Sequence, residues 1–158
     1  MRKSISVCLS VLFSACTSVP TPYVGYEGKA LPPSEQAVIF GKLGPKTTGI
    51  WPKHMQGTVI SCLDGIHLED GNYGTGLRYP DKMLVKPGRH YLTALYFQGS
   101  TYSYGSLWVD AEAGHAYVFN PQIRGYSVRV LLEDAATGIR VGGLPGGEPN
   151  PDPSAKRC

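Results

Sequence analysis

The close spacing of glycine and proline constrains this chain more than any other feature of its sequence. There are 20 glycines and 13 prolines among 158 residues, and they interrupt short stretches of apolar and β-branched side chains. No stretch keeps a helical periodicity beyond about ten residues. Short apolar stretches bounded by turn residues are typical of β-strands. The sequence therefore predicts an all-β fold.

Seven stretches have the length and composition of strands. They cover residues 36–42, 58–63, 82–85, 90–97, 106–111, 116–120 and 127–132, and an eighth short strand covers residues 139–141. Seven to eight short strands joined by turns predict an antiparallel β-sandwich of two sheets packed face to face. Two hairpins are predicted within it, because Pro87-Gly88 and Gly114 each stand at a turn between two apolar stretches.

The first fifteen residues have the three-part layout of an export signal. Arg2 and Lys3 precede an apolar stretch that ends at Phe13, and small residues then lead to Cys16. The apolar stretch is much shorter than the roughly 20 residues that cross a bilayer as a helix. Residues 1–15 are therefore predicted to be a signal peptide that is removed. An ordinary cleaved signal with a chance cysteine at its end is the alternative to a lipoprotein signal.

The end of this signal, Phe13-Ser14-Ala15-Cys16, resembles the lipobox of bacterial lipoproteins. In that family a cysteine thiol accepts diacylglycerol, and leucine usually stands where this chain has Phe13. The resemblance implies that Cys16 carries lipid, with palmitate among its acyl chains, and anchors the chain to a membrane. More than one acyl chain gives stable attachment. Because Thr17 and not aspartate follows the cysteine, the resemblance implies the outer membrane, with the domain facing the periplasm.

The rest of the chain divides into three parts. Residues 16–34 hold prolines among small polar residues and predict an extended linker. Residues 35–141 contain the predicted sandwich. Residues 142–158 have too little apolar surface to fold alone, so a flexible tail rich in proline and glycine is expected. The alternative is a tail pinned back through Cys158.

Two cysteines remain once Cys8 leaves with the signal and Cys16 takes lipid. Cys62 and Cys158 form an even pair in a compartment that permits disulfides, so the sequence predicts a bond between them. A buried free thiol at Cys62 and an intermolecular bond through Cys158 are the alternatives.

The candidate metal ligands are scattered along the chain. No two of His54, His67, His90 and His115 have the close spacing of a ligand pair, so a metal site would need His90 and His115 brought together by folding. The acidic turns at Asp64-Gly65 and at residues 69–72 invite calcium, but their spacing differs from that of an EF-hand loop. The sequence therefore predicts no metal and no cofactor.

No catalytic motif stands out either. The chain lacks Gly-x-Ser-x-Gly and His-Glu-x-x-His. Glu133 and Asp134 are adjacent carboxylates, but neighbouring residues on a strand point to opposite faces. We expect a protein that is not an enzyme.

Tyrosine is unusually frequent, with ten in the chain. Tyr96, Tyr102 and Tyr104 cluster around a stretch rich in serine and glycine at residues 99–106, which is predicted to be a loop. Such loops make adaptable contact surfaces, whereas tyrosine also suits exposed strands and sheet edges. The formal net charge of +3 includes Arg2 and Lys3 of the signal, so no nucleic-acid partner is expected.

The order of short motifs along the chain resembles that of small uncharacterised lipoproteins of proteobacteria with a PEGA-like or immunoglobulin-like β-sandwich. The matching stretches are Tyr26-Glu27-Gly28, Leu31-Pro32, Ala37-Val38-Ile39, Leu63-Asp64-Gly65, residues 86–92 and residues 112–117. The resemblance implies a fold and a location, and no particular activity. We expect a membrane-anchored interaction module that binds another envelope protein or a surface glycan. A periplasmic module for a small ligand or for stress, and an unrecognised enzyme, are the alternatives.

Overall fold

The computed structural model describes residues 22–48, 54–68 and 78–158. Within these ranges the chain is all-β, as predicted, with two mostly antiparallel sheets packed face to face and a single 3-10 turn at Pro33–Glu35. Residues 1–15, Cys16 and the acidic turn at residues 69–72 lie outside the described residues. The predictions of a signal peptide and of lipidation therefore stay predictions.

Eleven strands make up the two sheets in the described part of the chain. In chain order they are β1 (Tyr23–Val24), β2 (Ala37–Phe40), β3 (Lys42–Leu43), β4 (Gln56–Leu63), β5 (Ile66–His67), β6 (Lys82–Val85), β7 (Gly88–Gln98), β8 (Thr101–Ala111), β9 (Ala116–Arg124), β10 (Ser127–Asp134) and β11 (Arg140–Val141). The first sheet has the order β1-β6-β2-β9-β10-β11, and the second has the order β3-β4-β7-β8 with β5 paired to β4. In the first sheet, β1 pairs with β6 and β2 pairs with β9 in parallel.

The hydrophobic core lies between the sheets and follows the period of two along each strand. Ile39 and Phe119 fill it from the first sheet, and Leu92, Ala94 and Val109 fill it from the second. All five side chains are fully buried. Burial of this apolar surface is the main force that holds the two sheets together.

A bulge in β4 interrupts the alternation at Ser61. Ile60 pairs with Ala94 of β7, and Cys62 pairs with Thr93, whereas regular antiparallel pairing would match Cys62 with Leu92. Since a bulge adds one residue to one strand, the residues beyond it exchange faces. Cys62 therefore faces away from the core, on the outer face of the second sheet.

The two predicted hairpins are wrong in their pairing. Gly88 and Gly114 do have positive φ, at 128° and 77°. However, β6 before Gly88 belongs to the first sheet and β7 to the second, while β8 and β9 around Gly114 are likewise in different sheets. Both turns carry the chain across the sandwich. The two strands that flank each turn lie on opposite sides of the core, so each pairs with strands of its own sheet.

The tight hairpin turns occur at other places. The turn Asp64-Gly65 joins β4 to β5 with φ of 48° and 79°, and this double positive φ suits Asp-Gly. Gly99-Ser100 joins β7 to β8, and Gly125-Tyr126 joins β9 to β10. Asp64, whose acidic turn invites calcium in the sequence, lies in the turn that closes this hairpin.

Both predicted spacer segments contribute to the fold. In the linker, Tyr23 and Val24 pair with Met83 and Leu84 as β1. In the tail, Gly143 exchanges two backbone hydrogen bonds with Trp108 of β8. Gly142 has a φ of +67°, and a Cβ there would lie 1.9 Å from the carbonyl oxygen of Trp108. The backbone must approach β8 this closely for the C-terminal segment to cross it.

Candidate functional site

The exposed tyrosines lie on the outer face of the second sheet, which points away from the core. Residues 101–106, predicted to be a loop, are the first half of strand β8. Tyr102 and Tyr104 project from alternate positions of β8 and are 66% and 56% exposed. Their rings meet edge to face with centroids 6.0 Å apart. The loop prediction is therefore wrong, because pairing with β7 holds this polar stretch in an extended conformation.

Tyr96 does not belong to this cluster. It pairs with Ser103 and lies on β7 at the same alternation as Leu92 and Ala94, which face the core. It is only 5% exposed, and its hydroxyl donates a hydrogen bond to Gln98 Oε1. Of the three predicted contact tyrosines, the structure brings together Tyr102 and Tyr104 alone.

An open groove of about 480 Å³ runs beside the two tyrosines, and we call it the aromatic groove. Its walls are mostly apolar or aromatic side chains. It is lined by Val59, Arg78, Tyr79, Leu95, Phe97, Gly99, Ser100, Thr101, Tyr102 and Tyr104. In the sequence, the feature that indicates the base of the groove is the unbroken apolar stretch of β7. Side chains on both faces of this strand are buried.

A second depression of about 250 Å³ shares Tyr79 and Tyr104 with the aromatic groove. Its hydroxyl groups are used within the sheet. Ser61 Oγ donates to the carbonyl oxygen of Thr93 at 3.0 Å, and the hydroxyls of Thr93 and Ser106 share a hydrogen bond of 2.9 Å. His67 also lines this depression, but among the described residues no hydrogen bond joins its ring to any of these hydroxyls, as the activation of a serine nucleophile requires.

The C-terminal segment, residues 142–158, covers the other half of the outer face. Cys158 is bonded to Cys62, with an S–S distance of 2.10 Å. The Arg157 guanidinium lies over the Tyr91 ring, 5.3 Å from its centroid. The structure thus places the segment in the pinned arrangement, and its flexibility stays a prediction.

Arg89 ties the same segment to the sheet. Its Nε and one terminal nitrogen donate to the two carboxylate oxygens of Asp110, both at 2.8 Å, and its other terminal nitrogen donates to the carbonyl oxygen of Pro149 at 2.7 Å. The guanidinium also lies 5.0 Å from the Trp108 ring centroid. The hydrogen bond to Asp110 raises the pKa of Arg89. All of this hydrogen bonding is structural.

Glu148 has a buried side chain within the C-terminal segment. It accepts a hydrogen bond from the backbone N–H of Gly146 at 2.6 Å and lies 3.5 Å from a guanidinium nitrogen of Arg157. Burial by itself raises the pKa of Glu148, but the backbone N–H groups and Arg157 outweigh it and hold the pKa below its usual value. An ionised Glu148 helps to fold the segment onto the sheet.

His90 joins two turns. Its Nε2 donates to the carbonyl oxygen of Lys86 at 2.8 Å, and its Nδ1 lies 2.7 Å from the Asp64 carboxylate. The other oxygen of Asp64 accepts the N–H of Tyr91 at 2.8 Å. Burial lowers the pKa of His90, but the hydrogen bonds to Asp64 and Lys86 outweigh it and raise the pKa. These contacts leave neither ring nitrogen free for a metal.

His115 has a separate partner. Its Nδ1 lies 2.9 Å from the carboxylate of Asp134, whose other oxygen accepts hydrogen bonds from the backbone N–H groups of Ala136 and Thr137. The hydrogen bond from His115 is the main reason that the pKa of Asp134 falls to about 2. The same hydrogen bond raises the pKa of His115. The neighbouring Glu133 accepts a hydrogen bond from Asn120 at 2.7 Å, so the two carboxylates do not form a catalytic pair.

The pair of Asp134 and His115 predicts a pH dependence of stability. The contribution of Asp134 is present above its ordinary pKa of 3.8 and is lost as pH falls through about 2. The contribution of His115 is present below its ordinary pKa of 6.5 and is lost as pH rises through the raised value. We expect Asp134→Asn to lower the urea midpoint most between these two ordinary values, and to flatten its fall in acid.

The control for this experiment is Glu112→Gln. Glu112 lies 3.6 Å from His115 Nε2 but is largely exposed, so its loss is expected to change the urea midpoint little. If Asp134→Asn and Glu112→Gln gave the same profile from pH 2 to 9, the role assigned to the Asp134 carboxylate would be wrong.

No group of three or more histidine, cysteine or acidic side chains in residues 22–48, 54–68 and 78–158 is placed to hold a metal ion. His90 and His115 have the separate partners described above, and His54 bonds to the carbonyl oxygen of Gly44. The described residues also include no helix long and apolar enough to span a bilayer.

Comparison of the chain with protein-family models, with curated proteins and with solved structures gives no match. The resemblance to PEGA-like lipoproteins therefore stays a prediction.

Proposed function

We propose that this chain is an envelope lipoprotein, anchored in the outer membrane through acyl chains on Cys16, whose sandwich faces the periplasm and binds another envelope protein. The aromatic groove is the proposed contact site. In this proposal the sandwich is an interaction module and performs no reaction.

One observation carries the proposal: two neighbouring tyrosines stand exposed on a fully paired strand beside a mostly apolar groove. Tyrosine gives a large contact area and a hydroxyl at little entropic cost, and it is enriched at the centres of protein interfaces. The hairpin of β7 and β8, with eleven paired positions, holds Tyr102 and Tyr104 in place. A rigid aromatic surface reduces the entropy lost on binding.

A protein partner is favoured over a surface glycan by the lining of the groove. Among the described residues that line it, Arg78 is the one charged side chain, and aliphatic and aromatic groups predominate. The described lining offers a partner apolar contact area, and it has no carboxylate or side-chain amide to pair with the hydroxyls of a sugar.

A small-ligand module would need a pocket between the two sheets. The crevice lined there by Leu107, Val130 and Leu132 has a volume of about 10 Å³. That is about the space of one water molecule. The interior therefore gives no support to this alternative.

The test is to remove both exposed rings. In cells treated with a chemical cross-linker, we expect the double variant Tyr102→Ala and Tyr104→Ala to lose its protein adducts by more than about tenfold, since truncating an interface hot spot costs about 2 kcal/mol or more. The measurement is the yield of each adduct relative to unmodified chain.

Tyr126→Ala is the matched control. Tyr126 lies at the β9–β10 turn and is fully exposed, with a relative exposure of 110%, so it tests the loss of an exposed ring elsewhere on the surface. Its adducts should keep the yield of the unsubstituted protein. Adducts that persist unchanged in the double variant would refute the proposed site.

A further inference from the structure

Strand β8 forms one edge of the second sheet, and it differs from the other edges. The first sheet ends in β1 and β11, and the second ends in β3 and β8. In the described part of the chain, β1, β3 and β11 have two residues each, whereas β8 has eleven. Residues 127–131 of β10 are also unpaired on the side of β11, but this shorter stretch carries the charged Arg129. Short edges protect a sheet against further pairing, and a long edge does not.

The pairing of β8 with β7 determines which backbone N–H and C=O groups of β8 point away from β7. Thr101 and Gln98 close the two-residue turn, so the odd positions of β8 exchange hydrogen bonds with β7. The even positions direct their N–H and C=O groups to the open side. Trp108 demonstrates this direction, because its N–H and C=O bond to Gly143 at 2.9 and 3.1 Å.

Gly143 occupies only the end of this edge. At Tyr102, Tyr104 and Ser106 the outward N–H and C=O groups have no backbone partner among residues 22–48, 54–68 and 78–158. The three positions repeat every two residues, or about 7 Å along a strand. This spacing matches the backbone groups of an extended polypeptide.

Nothing in the composition of this stretch blocks a further strand. Natural edges carry lysine, proline or a bulge to prevent pairing. The sequence from Thr101 to Leu107 has no charged residue and no proline, and its pairing with β7 has no bulge.

Apolar or aromatic side chains lie beside this edge on both faces of the sheet. Tyr102 and Tyr104 stand on the outer face. On the inner side, the crevice beside β8 is lined by Leu107, Leu131 and Leu144, and Leu144 is exposed. An added strand would place alternate side chains against each set. Because this edge is uncharged and the side chains beside it are largely apolar, the segment best suited to pair with it is itself neutral and largely apolar.

We propose that β8 binds an extended segment of a partner protein as an additional strand, paired to Tyr102, Tyr104 and Ser106 through their backbone groups. This inference rests on the proposed function, in which the partner is a protein at the outer face, and it names the form in which that partner binds. Backbone hydrogen bonds supply affinity in this mode, and the pockets beside alternate side chains supply specificity.

The test removes one backbone donor and keeps an aromatic ring at positions 102 and 104. A photo-cross-linking phenylalanine derivative replaces Tyr102 in the full chain, which is expressed in cells and irradiated. Ser106→Pro deletes an outward N–H, while Ser106→Ala deletes the hydroxyl alone. Proline is tolerated on an edge strand where its missing N–H faces outward.

We expect Ser106→Ala to keep the yield of the protein adduct within about twofold, and Ser106→Pro to lower it about tenfold, which corresponds to about 1.4 kcal/mol. Mass spectrometry of the adduct should place the cross-links on one short segment of one protein. If Ser106→Pro does not fold, the adduct yield of Ser106→Lys is compared with that of Ser106→Gln. The lysine variant should give the lower yield, since an edge lysine opposes strand pairing.

Equal adduct yields in the proline and alanine variants would overturn the added strand while leaving the proposed protein partner in place. A cross-link from position 102 to β8 of a second copy would overturn it in favour of self-pairing. Adducts with glycan or lipid alone, or no adduct in the unsubstituted background, would instead refute the proposed function.

Discussion

Replacing Cys158 by serine is expected to lower the free energy of unfolding by about 4 to 5 kcal/mol, because the bond to Cys62 closes a loop of nearly 100 residues and the chain-entropy cost of such a loop is of that size. The sequence separation between the two cysteines is 96. For a domain of this length the loss corresponds to a fall in Tm of roughly 15 °C. Urea unfolding of the oxidised protein and of the variant measures the difference.

Serine is placed at position 158 because that residue is exposed at the end of the chain, whereas Cys62 is buried and its truncation would leave a cavity. Reduced wild-type protein is the internal control and should unfold at the same urea concentration as Cys158→Ser. A further reductant-dependent shift in the variant, or a loss below about 1 kcal/mol, would contradict the role given to this bond.

The same substitution should release the C-terminal segment. Lys156 and Arg157 are trypsin sites, and Arg157 contacts the Tyr91 ring only while the segment lies on the sheet. We expect cleavage at these two sites to become faster in Cys158→Ser than in the oxidised protein. Equal cleavage rates would show that Arg89 and Glu148 hold the segment without the disulfide.

Replacing Cys16 by serine is expected to abolish the acyl modification altogether. A serine hydroxyl does not form the thioether that attaches diacylglycerol, and anchoring depends on about 0.8 kcal/mol for each buried CH₂ of the acyl chains. The intact mass of the wild-type protein should lack residues 1–15 and include the acyl groups. The variant should have neither change.

Cys8→Ser is the matched control, because residue 8 lies inside the predicted signal peptide and leaves with it. It should give the wild-type mass and sediment with the membrane fraction. If wild type and Cys16→Ser had the same acyl content, the proposed anchoring would be refuted, and the envelope location of the partner would lose its basis.

Strand positions were largely predictable from the sequence. Lys82–Val85 is a strand with the predicted bounds, and β4 and β10 cover the stretches predicted at residues 58–63 and 127–132. Local composition is enough to locate these strands, because short stretches of β-branched and apolar residues between glycine and proline favour the strand conformation.

Strand pairing was not predictable in the same way. Pro87-Gly88 and Gly114 do mark changes of direction, but a turn residue reports only its own backbone angles. Val85 pairs with Ala37, and His90 pairs with Val109, so the strands on the two sides of Pro87-Gly88 join different sheets. The partner of Val85 is distant in the sequence, whereas β7 pairs with β8 through the Gly99-Ser100 turn, and packing across the sandwich is what separates β6 from β7.

The candidate site shows the same division between local and distant information. The abundance of tyrosine and its cluster near residue 100 were visible in the sequence, and they led to Tyr102 and Tyr104. The sequence did not show that Tyr96 is separate from these two tyrosines. That separation depends on which alternate residues of β7 face the core. The open backbone edge of β8 also required the structure, because an edge exists only relative to its sheet.

By itself, the sequence determined that this chain forms β-strands and where most of them lie, and it predicted the bond between Cys62 and Cys158. Each of these follows from local chemistry. The tertiary structure decided which strands pair, that a bulge at Ser61 directs Cys62 outward to Cys158, and that β8 is left with an open edge. These features depend on residues far apart in the chain, which come together only when the two sheets bury their common core.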